Sequence, residues 1–135
     1  MGDYLSTIPG VAKDLKEGRY VMIEGEPCKV VEIQISSPGK HGAAKMRIVG
    51  IGIFDNVKRV LLKPSDGDVE IPIVERKLAQ VISVMGETAQ VMDQKSYEMY
   101  EIIIPEELRG KVKEGDNVDV LESMGKRIIE RVRSQ

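Results

Sequence analysis

Apolar residues come in short runs whose spacing is that of strands. Val31, Ile33 and Ile35 alternate with Glu32, Gln34 and Ser36, a period of two that marks a half-buried strand. Val49, Ile51 and Ile53 alternate in the same way with Gly50 and Gly52. Glycine inside a strand marks either strong curvature or the close approach of another backbone, and both uses fit here. The pattern predicts strands over 19–23, 28–35, 46–54 and 57–62, with 69–74 ending this set or leading out of it. A second set is predicted over 78–84, 89–92, 97–104, 117–121 and 127–132, although Ile128, Ile129 and Val132 also fit a helix face.

Turn residues separate these runs. Glu24-Gly25-Glu26-Pro27 and Pro64-Ser65-Asp66-Gly67 read as turns, and Gly86, residues 93–96, Gly115 and Gly125 punctuate the second set. Residues 1–17 read as an arm, with a turn at Ile8-Pro9-Gly10 and at most one helical turn over 12–17. Pro105-Glu106-Glu107-Leu108 has the proline and acids of a first helical turn, which Gly110 stops. The sum is all-β: two small β domains joined near Ile71–Arg76, with no Ser/Pro/Gly-rich linker between them and no internal repeat.

One interval does not fit a tight hairpin. About ten residues, from Ser36 to Lys45, separate the second and third strands, where two to five suffice. Pro38-Gly39 is a turn signal and Gly42 a second permissive point, and between the glycines sit Lys40 and His41. A lysine on a loop tip is ordinarily a solvating charge, but a long ordered loop between strands is more often functional.

Charge sharpens the contrast. The formal net charge is −2, yet Lys29, Lys40, Lys45, Arg47, Lys58, Arg59 and Lys63 face only Glu32 and Asp55 between residues 28 and 63, seven minus two, or +5. From Ile71 onward ten basic residues meet twelve acidic ones. The region around the loop is therefore basic, as phosphate backbones require, or its charges simply solvate strand faces.

Much chemistry is excluded. With one histidine, His41, and one cysteine, Cys28, the chain cannot assemble a Cys/His zinc site or an internal disulfide. It has no phosphate-binding or dinucleotide glycine motif, and no Gly-x-Ser-x-Gly elbow. No catalytic residue, metal or cofactor is expected, Cys28 reads as a small buried apolar residue, and neither a signal peptide nor a membrane span is visible, which points to the cytoplasm.

The stretch Ser36-Ser37-Pro38-Gly39-Lys40-His41-Gly42-Ala43-Ala44-Lys45 resembles the modified loop of the archaeal and eukaryotic translation factor 5A family. The likeness extends through Gly25-Glu26-Pro27-Cys28 and Lys63-Pro64-Ser65 and covers essentially the whole chain. It implies an SH3-like barrel over 1–71 that carries the loop and an OB-fold over 72–135. It implies that Lys40, between the two glycines, becomes deoxyhypusine or hypusine, with Pro38, Gly39 and Gly42 shaping the loop. It implies a factor that binds the ribosome and promotes peptide-bond formation beside rRNA and peptidyl-tRNA. His41, Lys45 and Arg47 are then candidates for RNA contact. Deoxyhypusine synthase is implied as the modifying partner, and the spermidine and NAD it uses belong to that enzyme. In the commonest archaeal loop a basic residue often precedes the proline; Ser37 stands there in this chain, a departure that leaves the site's identity intact and bears on one phosphate contact. In the second half, Tyr97 and Tyr100 lie three apart and would point to opposite faces of a strand, so no stacking platform is evident; Arg127, Arg131 and Arg133 are the candidates for RNA there. The alternative is a general RNA-binding module of the same architecture that needs no modification.

Overall fold

A computed structural model describes residues 6–37 and 44–133, which form eleven strands and two short 3₁₀ turns; among these residues there is no α-helix. Two compact units divide at Ile73/Val74.

In the first unit, β2 (Tyr20–Ile23), β3 (Glu26–Ser36), β4 (Lys45–Gly52) and β5 (Lys58–Pro64) form an antiparallel sheet in that order, and β1 (Thr7–Val11) pairs with β6 (Asp68–Pro72). The β2–β3 hairpin closes in two residues, Glu24 and Gly25, both at positive φ (53° and 80°). Two left-handed residues in succession match the right-handed twist of the flanking strands. The turn is thus shorter than the sequence suggests, and Glu26 and Pro27 belong to β3. Proline is tolerated there because its carbonyl is what the fold uses: it accepts the Ile53 N–H at 2.9 Å.

The expected turn at Ile8-Pro9-Gly10 is instead part of β1. β1 has a ladder partner on one side only, so the N–H that Pro9 lacks need cost no ladder bond. Gly10 lets the Ile71 side chain in, since a Cβ at Gly10 would lie 2.9 Å from Ile71 Cγ1.

The alternation along β3 also breaks. Val30 pairs with Gly50 and Glu32 with Val49, so Val31 is an extra residue, a bulge that reverses which face points inward. Cys28 and Val30 are buried before it and Ile33 half-buried after it, while Val31 and Ile35 are exposed. On β4 the positions that face the unit's core are Met46, Ile48, Gly50 and Gly52; of the expected Val/Ile series Val49 is also buried, outside that core, while Ile51 and Ile53 are half-buried. Gly50 serves close packing: a Cβ there would meet Cys28 Cβ at 2.9 Å and Ile23 Cδ1 at 3.0 Å. With Ala12, Leu15, Val21, Met46, Ile48 and Val69, these side chains form one core. Gly50→Ala is therefore expected to cost about 1–3 kcal/mol by overpacking, read as a lower urea midpoint with an unchanged m-value.

β4 ends at Gly52, short of Phe54, because Asp55 organises the turn to β5. Its Oδ1 accepts the Val57 N–H at 3.1 Å, and the Arg59 guanidinium donates to both carboxylate oxygens at 3.1 and 2.8 Å. Those Arg59 bonds hold the Asp55 carboxyl below the usual carboxylate range.

In the second unit β7 spans Glu75–Met85, β8 Thr88–Asp93, β9 Met99–Ile103, β10 Asn117–Ser123 and β11 Lys126–Arg133. They form a five-stranded antiparallel sheet in the order β11-β10-β7-β8-β9. β11 returns alongside β9 and curls the sheet toward a barrel. Its core is Ala79, Val81, Ala89, Val91, Ile102, Ile104, Val118, Val120 and Ile129. Residues 126–132, which fit helix or strand in sequence, are a strand because β10 supplies a ladder partner from Ser123↔Lys126 to Asn117↔Arg133. Tyr97 precedes β9 rather than opening it and sits at φ 64°, in the turn that Asp93 caps by accepting the N–H groups of Lys95 and Ser96, each at 2.8 Å.

Candidate functional site

The loop singled out by its length grows from the longest hairpin of the first unit. Ser36 pairs with Lys45, which leaves 37–44 as the connection. Pro38, Gly39, Lys40, His41 and Gly42 lie outside the described residues, so the geometry of the site is that of its base. The C-terminal root is fixed: Ala44 O accepts the Ser65 N–H at 2.8 Å, Ser65 O accepts the Lys13 N–H at 2.9 Å, and Gly67 O accepts the Ala12 N–H at 2.9 Å. These bonds tie the start of β4 to the β5–β6 turn and to the 3₁₀ turn at Ala12–Asp14. The β5–β6 turn is Pro64 to Gly67, so the Lys63-Pro64-Ser65 segment meets the loop's root in space.

Lys45 and Arg47 stand two apart on β4 and thus project from one face. Lys45 is exposed; Arg47 is half-buried between Gln34 of β3 and Leu62 of β5. Lys63 stands opposite Met46, on the other face. The three strand ends frame a cleft of about 860 Å³, with Ile35, Met46, Leu62 and Pro64 as its apolar lining and Lys45, Arg47 and Lys63 as its cations. None of the three cations is paired with a carboxylate among the described residues. Arg59, counted with them in the sequence, is not available in the same way, because Asp55 holds it and its pKa is raised.

The arginines of the second unit are placed differently. Arg131 and Arg133 both donate to Asp119, at 2.6 and 2.9 Å. Asp119 is 1% exposed. Burial pushes its carboxyl up, but the two arginines outweigh that and leave it below the ordinary carboxylate value. Arg127 bonds to Glu122 and to Glu98 and lies over the Tyr100 ring, 4.0 Å from its centroid. Lys77 pairs with Glu122 at 2.9 Å and Arg76 with Glu130 at 2.6 Å. The arginines named as RNA contacts, Arg127, Arg131 and Arg133, are thus each bonded to a carboxylate of their own unit, Arg131 and Arg133 sharing one. Tyr100 packs on the core, and Tyr97 is 70% exposed. Neither ion-pair set was legible in the sequence, since Asp119 and its arginines are brought together only by the β10–β11 register. Cations that have no carboxylate partner among the described residues, beside an accessible cleft, lie by contrast at the base of the long loop.

Comparison with known proteins accounts for both units. A family model described as "Translation initiation factor 5A-like, N-terminal" matches residues 6–67, and one described as "Eukaryotic elongation factor 5A hypusine, DNA-binding OB fold" matches 73–133. A translation initiation factor 5A of Archaeoglobus fulgidus is 53% identical over 120 residues, 89% of this chain and 94% of that protein. Its counterpart in Thermofilum pendens is 47% identical over 96% of this chain and the whole of that one. Among solved structures, a factor 5A from Methanococcus jannaschii superposes with a TM-score of 0.88 at 44% identity, covering 96% of both chains. One from Naegleria fowleri gives 0.79 at 32% identity, covering 96% of this chain and 99% of the other. The all-β architecture of an SH3-like barrel followed by an OB-fold agrees with these matches.

Proposed function

Because the chain belongs to the translation initiation factor 5A family, whose members are translation factors, we propose that it acts on the ribosome, as a factor and not as an enzyme, through a modified Lys40. The carrying observation is the Gly39-Lys40-His41-Gly42 sequence in a loop whose base presents the unpaired cations Lys45, Arg47 and Lys63. Deoxyhypusine synthase transfers an aminobutyl group from spermidine to Nζ: a C–N bond of spermidine breaks, an N–C bond forms on Nζ, and the remaining diamine leaves with the proton that Nζ gives up. The product is a longer stem with a second amine, thin enough for a phosphate-lined crevice that a guanidinium would not enter. Placed beside peptidyl-tRNA, such an arm holds the acceptor end in position and lowers the entropic cost of peptide-bond formation, while the ribosome remains the catalyst. Lys45 and Arg47 contact rRNA or tRNA phosphate, and His41 is a further candidate for RNA contact. In this reading residues 1–71 deliver the arm and 72–135 accompany it, in the cytoplasm.

The mass of the peptide spanning Lys40, from protein isolated from its own cells, tests this. An added aminobutyl group on Lys40, with or without a hydroxyl, is the expected result. An unmodified Lys40 in native material would overturn it in favour of a general RNA-binding module. That module requires RNA affinity that falls steeply with salt, drops when Lys45 and Arg47 are made alanine, and is indifferent to the identity of the basic residue at position 40.

A further inference from the structure

The outer face of β7, β8 and β9 has no role in the reading above, and its composition is unlike that of a nucleic-acid surface. Ladder register puts three rows of side chains on it: Met85, Thr88 and Ile103; Ser83, Gln90 and Glu101; Gln80, Met92 and Met99. Met85 is 61% exposed, Ile103 65% and Met99 47%. Thr88 Oγ1 donates to Glu101 at 3.0 Å, which fixes a carboxylate in the middle of the face. Glu87 adds an exposed carboxylate at the β7–β8 turn, paired with the Arg109 guanidinium at 3.5 Å, and Glu98, just ahead of β9, is paired with Arg127 at 3.2 Å. No lysine or arginine occurs in β8 or β9.

On an OB-fold the second and third strands are where oligonucleotides are commonly bound, by cations and aromatic platforms. In this unit those strands are β8 and β9, and they offer methionine, isoleucine and carboxylates. Phosphate would be repelled there. An exposed apolar patch with a carboxylate at its centre, Glu101, that meets no cation among the described residues fits a cationic partner with apolar anchors, and methionines adapt to such anchors. We infer that the β8–β9 face docks a basic polypeptide segment carrying apolar side chains, and that it is a protein-binding face and not an RNA-binding one. The family model's description of this region as DNA-binding therefore does not extend to this face.

The test is an NMR titration of the intact, isotope-labelled chain with a short synthetic peptide alternating lysine and leucine. Its controls are a lysine/serine peptide, a glutamate/leucine peptide and single-stranded RNA. The lysine/leucine peptide is expected to shift the amides of 88–92 and 99–103 and to bind more tightly than either control peptide. Glu101→Lys is expected to weaken it about tenfold at low salt, with the difference shrinking as salt rises. Ile103→Ser should weaken it at all salt concentrations; an unchanged amide spectrum elsewhere shows that each variant is folded. Three results would each overturn the inference: no shifts on β8 and β9, equal binding of the glutamate/leucine peptide, or RNA shifting this face as strongly as the peptide does.

Discussion

Lys40→Arg is expected to leave the protein folded and to abolish its contribution to translation. The positive charge at position 40 is kept, and a charge-conserving substitution in a loop outside the packed cores changes stability by no more than about 0.5 kcal/mol. What is lost is reactivity. Attaching an aminobutyl group requires a neutral amine nucleophile, which a lysine can present and a guanidinium, protonated at every accessible pH, cannot. Reconstituted translation of messages with stall-prone stretches, supplied with factor from cells containing the modifying enzyme, separates the possibilities. Wild-type factor should raise full-length yield, and the Lys40→Arg variant should behave as if no factor were added. Equal activity of the two would show that position 40 contributes only a charge and would remove the modified arm from the mechanism. The mass of the variant and its unchanged thermal midpoint serve as internal controls.

The second large effect lies in the other unit. Replacing Arg131 and Arg133 together with alanine is expected to destabilise the protein by about 2–3 kcal/mol, because Asp119 would be left buried, ionised and unpaired. The figure stands below the roughly 3–5 kcal/mol usual for broken buried pairs, since both arginines are themselves more than a third exposed and water screens them. Adding Asp119→Leu to the double variant should recover most of the loss, since an apolar residue in that place needs no partner. Urea unfolding of the three forms measures this, and a double variant as stable as the parent would show that Asp119 is hydrated in a way its 1% exposure does not suggest.

The same carboxylates set the acid limb of stability. Asp119, Glu122 and Glu130 all have native pKa values lowered by the arginines and lysine beside them. Groups depressed in the folded state bind fewer protons there than in the unfolded chain, so their stabilisation is complete above the ordinary carboxylate pKa of about 4 and is lost as pH falls through the native values. The thermal midpoint should therefore be flat from neutrality down to about pH 5 and fall steeply below about pH 4, and the Asp119→Asn variant should show a shallower fall in that window.

Sequence alone carried most of the strand count. Alternation, turn residues and the absence of long apolar runs require short half-buried strands wherever they occur, and every predicted strand has a counterpart. The errors fall where a long-range partner overrides a local preference. Pro9 and Gly10 signal a turn by every local criterion, yet β6 supplies β1 with a ladder. Val31 keeps the period of its neighbours but is displaced by a bulge that only the pairing of Val30 with Gly50 and Glu32 with Val49 creates. Tyr97 belongs to a strand by its β-propensity and to a turn by the Asp93 carboxylate that caps it.

Identity and charge were likewise determined by the chain itself. The lysine between two glycines, the long interval between strands and the local excess of seven basic over two acidic residues are properties of order and composition, visible without coordinates. Which charges are free was decided by tertiary structure. Arg47, Arg59, Arg127, Arg131 and Arg133 are indistinguishable as letters. The fold brings Asp55 to Arg59, Glu122 and Glu98 to Arg127, and one buried aspartate to Arg131 and Arg133, while Arg47 has no carboxylate partner among the described residues. An ion pair depends on distance in space, and strand register, set by packing across the whole unit, fixes that distance.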